Sequence, residues 1–107
     1  MKKILFSFFC SLIMLSSVAY ADVFVIDVRT ADEFSQGHVE NALNIEHTQI
    51  LEGIASNKVN KDDTIYVYCR SGKRAEFAKT ILESQGFSKV TNLGGLEQAQ
   101  AFFSNKK

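Results

Sequence analysis

The chain is 107 residues long, 46% hydrophobic and 22% charged, with no proline, and its twelve Lys and Arg balance twelve Asp and Glu. That length holds one domain. The neutral balance excludes any broad electrostatic attraction for nucleic acid or an anionic membrane surface, so an affinity for anions has to be local.

Lys2 and Lys3 give a positive start, Ile4 to Leu15 is a short apolar stretch, and Ala19-Tyr20-Ala21 fits the small-x-small cleavage pattern. The apolar run falls short of the roughly twenty residues a spanning helix needs, and Ser7 and Ser11 interrupt it. Residues 1–21 are therefore expected to be a cleaved signal peptide. The expected location is the periplasm, with no membrane attachment after cleavage. Cys10 lies inside the apolar stretch and not at the cleavage site, which argues against lipid attachment. Residues 22–107 would form the mature domain, with ten basic and twelve acidic residues and a formal charge of −2. Cys69 is then the one cysteine left in an oxidising compartment. It cannot form an internal disulfide, so it is either buried and inert or kept for chemistry.

The run 23–28, VFVIDV, is apolar and rich in β-branched residues without alternation, which predicts a strand covered on both faces, as in a parallel sheet. Thr30 and Glu33 have the spacing of a capping box and predict a short helix ending near Gly37. A second short strand is expected over 42–45. After it, Ile50, Leu51 and Ile54 lie on one helical face. The polar stretch 57–63 reads as a turn, and 64–68, TIYVY, as a strand running straight into Cys69. Ala75, Ala78, Ile81 and Leu82 predict an amphipathic helix, with Gly86 as its left-handed stop and Phe87 packing back on the last turn. A strand over 89–93, a break at Gly94-Gly95 and a last helix carrying Leu96, Ala99, Phe102 and Phe103 complete the chain. Strands alternating with helices over short connections imply an α/β domain with a small, mostly parallel sheet flanked by helices.

The segment Tyr68-Cys69-Arg70-Ser71-Gly72-Lys73-Arg74-Ala75 reads as a strand end, a tight loop and a helix start. Such a loop can curl until its amide hydrogens point inward around the sulfur, a nest for negative charge, and Gly72 tolerates the positive φ this requires. The amides, the helix start and the cations Arg70, Lys73 and Arg74 all favour thiolate over thiol. The thiol's pKa is expected below its reference of about 8.5, with the sulfur at the mouth of the domain. The bland reading makes Cys69 a small buried hydrophobe, but three cations and a glycine are poor company for a core residue. Rival chemistries fail on spacing. A C-x-x-C pair would need cysteine where Gly72 stands. A cysteine phosphatase loop would need arginine where Ala75 stands. One cysteine with His38 and His47 lacks a recognised metal-ligand spacing, so no metal or other cofactor is implied.

Asp27-Val28-Arg29 with Glu33-Phe34, Gly37-His38-Val39 and Ala42-Leu43-Asn44-Ile45 resembles the amino-terminal signature of rhodanese domains. Cys69 to Arg74 resembles their active loop, and Asn92-Leu93-Gly94-Gly95-Leu96 their carboxyl-terminal signature. The likeness is greatest to very short periplasmic rhodaneses of the phage-shock type. It implies a thiosulfate sulfurtransferase in which Cys69 accepts a sulfur atom as a persulfide and the backbone from Arg70 to Ala75 cradles it. Asp27, Arg29, Glu33 and His38 would be structural. The implied partners are a small anionic sulfur donor and a thiophilic acceptor, cyanide or a thiol. A loop of this short form suits sulfur, whereas one residue more suits phosphate. The family's usual proline is Glu40 here, which predicts a shifted turn. The strand and helix that precede the first signature in longer rhodaneses are missing, so the sheet should be reduced and one side of the site open. A different class of reading keeps the persulfide and drops the turnover, leaving a sulfur carrier or interaction module with a thiol protein as its partner.

Overall fold

The computed structural model describes residues 21–105. The leader expected over 1–21 lies outside the described residues apart from Ala21. Four strands form one sheet: β1 (Val23–Asp27), β2 (Leu43–Asn44), β3 (Thr64–Tyr68) and β4 (Val90–Asn92). Their order is β2-β1-β3-β4, and every neighbouring pair is parallel. The helices are α1 (Ala31–Ser35), α2 (Ile50–Ser56), preceded by a 3-10 turn over His47–Gln49, α3 (Lys73–Ser84) and α4 (Leu96–Ser104). The expected α/β class and the alternation of strand and helix are both present. Among the described residues no helix is long and apolar enough to cross a membrane.

Side-chain alternation along β3 divides the core in two. Ile65 and Val67, with Cys69 just beyond the strand, pack beneath α2 and α3 against Ile54, Ala78 and Leu82. Tyr68 points to the opposite face and meets Val39, Ala99 and Phe103 beneath α4. Both faces of β3 are thus covered, which explains its unbroken apolar run. The matching expectation for β1 holds only at its carboxyl end. Ile26 and Asp27 are buried, but Val23 is 63% exposed because the strand begins beyond the reach of the covering helices.

A charged pair fixes the carboxyl end of β1. Arg29 lies against Asp27 with Nη2 2.6 Å from Oδ2 and Nε donating to Oδ1 at 2.9 Å, both side chains buried. Nη2 also donates to the carbonyl of Gly37 at 2.7 Å, and the guanidinium stands 5.7 Å from the centre of the Tyr68 ring. A buried charge pair this well bonded resists loss of either partner, since a lone buried charge costs about 3–5 kcal/mol. Tyr68 in turn accepts the Val39 amide on its hydroxyl at 2.9 Å, and burial raises its pKa to about 12.

Thr30 and Glu33 form the predicted capping box, and Gly86 ends α3 with φ +99° while the Phe87 amide returns to the Leu82 carbonyl. Two local expectations change. The second strand is two residues, not four. Leu51 turns outward at 42% exposure, because α2 is only seven residues long and buries Ile50 and Ile54 alone. The turn at Glu40 runs through Asn41 at φ +71°, a left-handed position that asparagine tolerates.

Gly53 is the tightest helical approach in the fold: a Cβ built there would stand 2.3 Å from Cγ2 of the buried Ile45. Alanine at an open helical site would gain stability over glycine. Here overlap wins, and Gly53→Ala should destabilise the domain by about 1–3 kcal/mol in urea unfolding.

Candidate active site

The parallel sheet gathers the carboxyl ends of β1, β3 and β4 on one edge, and the connection from β3 to α3 rises from it. Cys69 begins that connection with its amide bonded to the Gly94 carbonyl at 3.0 Å. The chain then turns left-handed at Gly72, φ +99°, and enters α3 at Lys73. This turn brings the Gly72 amide back onto Cys69 Sγ at 2.9 Å. Burial is the largest influence on the thiol and opposes ionisation. The N–H groups of Ala75, Ser71, Gly72 and Arg74 together outweigh it, and the thiol's pKa is lowered from its ordinary value. The expected nest is present.

Two features differ from the sequence reading. Cys69 is wholly buried, 0% exposed, and is part of the core layer under α3, so the sulfur sits behind the loop and not at an open mouth. Period-two alternation already points it to the same face as Ile65 and Val67. The cations also divide. Arg70 and Lys73 are exposed and make no ion pair among the described residues. Arg74 instead pairs with Glu33 of α1, Nη1 to Oε1 at 2.8 Å and Nη2 to Oε2 at 3.1 Å. Its charge is largely matched by that carboxylate. Ser71 is exposed, Gly72 and Arg74 are half-buried, and Ala75 is buried at the first turn of α3.

The loop is braced from β4 by residues that motif reading assigned no separate task. Asn92 Nδ2 donates to the Gly72 carbonyl at 2.9 Å, while its Oδ1 accepts the Gly94 amide at 2.9 Å. Gly95 lies so close to the loop that a Cβ would come within 2.5 Å of the Arg70 carbonyl. Sequence spacing could not show these contacts, although the doubled glycine marks a close backbone approach. Beside Arg70 a largely polar cavity of about 530 Å3 opens, lined also by Arg29, Glu33, Gln36, Glu97 and Gln98. Of the residues expected to be structural, Asp27 and Arg29 pair, Glu33 caps α1, and His38 stacks on Phe34 at 3.6 Å with Nδ1 2.8 Å from the Phe34 carbonyl. Among the described residues no group of three or more His, Cys, Asp and Glu could hold a metal ion.

Glu33 accepts bonds from Arg74 and from the Thr30 amide and hydroxyl, and these hold its pKa near 2 against the ordinary 4.5. A carboxylate depressed on folding adds stability above its unfolded pKa and loses it as pH falls through the folded one. Stability should therefore decline between pH 4.5 and about 2, and Glu33→Gln should flatten that part of the unfolding curve. For Cys69, the pH profile of iodoacetamide alkylation should have its midpoint below the reference of about 8.5. A midpoint at or above that value would contradict the amide nest.

Comparison with known proteins follows the same outline. The model of the rhodanese-like domain matches residues 14–101. Thiosulfate sulfurtransferase PspE of Escherichia coli (strain K12) is 42% identical over 72 residues, covering 67% of this chain and 69% of that protein. A protein named sulfurtransferase from Allochromatium vinosum is 38% identical over 74 residues, covering 69% and 67%. The solved structure described as "rhodanese with anions from E. coli" superposes with a TM-score of 0.68 at 39% identity, covering 71% of this chain and 89% of that one.

Proposed function

The chain belongs to the rhodanese-like domain family and is a sulfurtransferase of the rhodanese type, and from that premise we propose that Cys69 carries the transferred sulfur as a persulfide, taken from thiosulfate or a similar small anionic donor. The observation that carries the reading is the ring of loop amides that lowers the thiol's pKa, with Gly72 bonded directly to Sγ. A thiolate is the nucleophile such chemistry needs, and the same amides suit a persulfide's charge.

The reaction is a double displacement. The Cys69 thiolate attacks the outer sulfur of thiosulfate, a new S–S bond forms, and the bond to the sulfonate sulfur breaks with its electron pair leaving on sulfite. Cyanide or an acceptor thiolate then attacks the terminal sulfur of the persulfide. Thiocyanate or a new persulfide departs and the electron pair returns to Cys69. Neither step needs an external oxidant or reductant. Arg70 and Lys73, exposed on the loop, attract the dianion, while Arg74 keeps to Glu33. The signal-peptide reading of residues 1–21 supports a periplasmic location for this activity.

Cys69→Ala should abolish thiocyanate formation from thiosulfate and cyanide, and unchanged turnover would refute the assignment. Intact-mass measurement after thiosulfate treatment should show one added sulfur on the wild-type chain and none on the variant. An adduct formed only on mixing with a persulfidated donor protein would select the carrier reading instead.

A further inference from the structure

We propose that Glu33 is a positioning residue for sulfur transfer: it holds the Arg74 side chain so that the backbone at Arg74 and Ala75 keeps its N–H groups on the Cys69 sulfur. The proposal rests on the reading of Cys69 as the sulfur-carrying nucleophile. It gives a residue assigned only to helix capping a task at a loop 41 positions away in sequence.

Four donors converge on this carboxylate. Oε1 accepts the Thr30 amide at 3.0 Å, the Thr30 hydroxyl at 3.1 Å and Arg74 Nη1 at 2.8 Å, and Oε2 accepts Arg74 Nη2 at 3.1 Å. The two-point contact fixes orientation as well as distance, which a single bond would not. Arg74 lies in the first turn of α3, and its own N–H is among those that favour the thiolate, as is that of Ala75 beside it. Anchoring the side chain therefore limits the freedom of the main chain that faces the sulfur. The pair is half-buried, with both side chains 28% exposed, so solvent screens it only in part. On the other flank Asn92 holds the Gly72 carbonyl, and the two braces together grip both ends of the segment that wraps Sγ.

The remaining charges near the sulfur are few. Arg70 and Lys73 stand on the loop itself, and the Asp27–Arg29 pair at the end of β1 is internally neutralised. Glu76 accepts from Asn92 Nδ2 at 3.1 Å beside the loop. None of these groups bonds to Glu33, so a change there sets two competing effects with opposite signs against each other. If Glu33 merely offsets the charge of Arg74, removing the carboxylate leaves a freer cation near Cys69 and lowers the thiol's pKa. If Glu33 positions the loop, removing it loosens the amides and raises that pKa.

The experiment is the pH profile of iodoacetamide alkylation for the wild-type chain and Glu33→Gln, with thermal melts run in parallel. Glutamine can still reach the Thr30 amide, so the helix start is kept. The expected result is an upward shift of the midpoint, read from the shape of the profile, because a change in loop opening scales the rate at every pH alike and leaves the midpoint in place. A downward shift, or a lower melting temperature with an unmoved midpoint, overturns the proposal. Should Glu33→Gln fail to fold, Arg74→Lys supplies the same test with every charge retained. Lysine is a point charge that cannot make the two-point contact, so the midpoint should again rise. No change there would overturn the proposal equally. Because alkylation needs no sulfur donor, the midpoint reports on the Glu33 brace separately from turnover, and an absence of thiocyanate with a raised midpoint would defeat the transferase reading while leaving the brace on the thiol in place. An unmoved midpoint beside intact turnover would do the reverse.

Discussion

Several main-chain N–H groups can face one sulfur atom only if the chain reverses within three residues of it, and that constraint organises this molecule. The left-handed turn at Gly72 makes the reversal, and the parallel sheet supplies a strand end from which it can start. The remainder of the site keeps the turn in place. Asn92 ties its carbonyl to β4, Gly94 accepts the Cys69 amide, and the missing side chain of Gly95 lets that strand's continuation approach the loop. Burial of the thiol works against ionisation, so the amides have to outweigh the low dielectric around them. Loop cations, the more obvious suspects, contribute less because the one half-buried among them is already matched by a carboxylate.

The buried pair at Asp27 and Arg29 performs a comparable service for the first signature. It joins the end of β1 to the Gly37 carbonyl and places Arg29 beside the Tyr68 ring, next to the residue that starts the loop. Tyr68 extends the link to Val39 through its hydroxyl. The first signature, the loop and the carboxyl-terminal signature thus meet in space around Cys69. These contacts hold strand ends in register.

What could be read from the sequence follows a physical division. Contacts within five residues were legible: the Thr30–Glu33 box, the Gly86 stop with Phe87, and β3 running into Cys69. The rhodanese likeness then gave the fold and singled out the cysteine proposed as nucleophile. Interactions spanning many positions were not legible, because nothing in local pattern says which charge Arg74 will choose or that Asn92 will brace the loop. The exposure of Leu51 was missed for a related reason. Helical spacing gives a face, but the length of α2 decides how much of that face is covered. Burial of Cys69 could have been anticipated from alternation along β3, had the cations after it not suggested an open position.

The complete enclosure of the Cys69 side chain has a kinetic meaning. A reagent in solution meets the sulfur only in the fraction of molecules whose loop has swung aside, so its observed rate is the intrinsic one multiplied by that fraction. Acidity and reactivity are thereby uncoupled. A thiol whose acidity is raised by the loop amides can still answer only to species small enough, or well enough held, to use a brief opening. For an unpaired cysteine, gating of that kind acts as selectivity by size and dwell time, ahead of any chemistry.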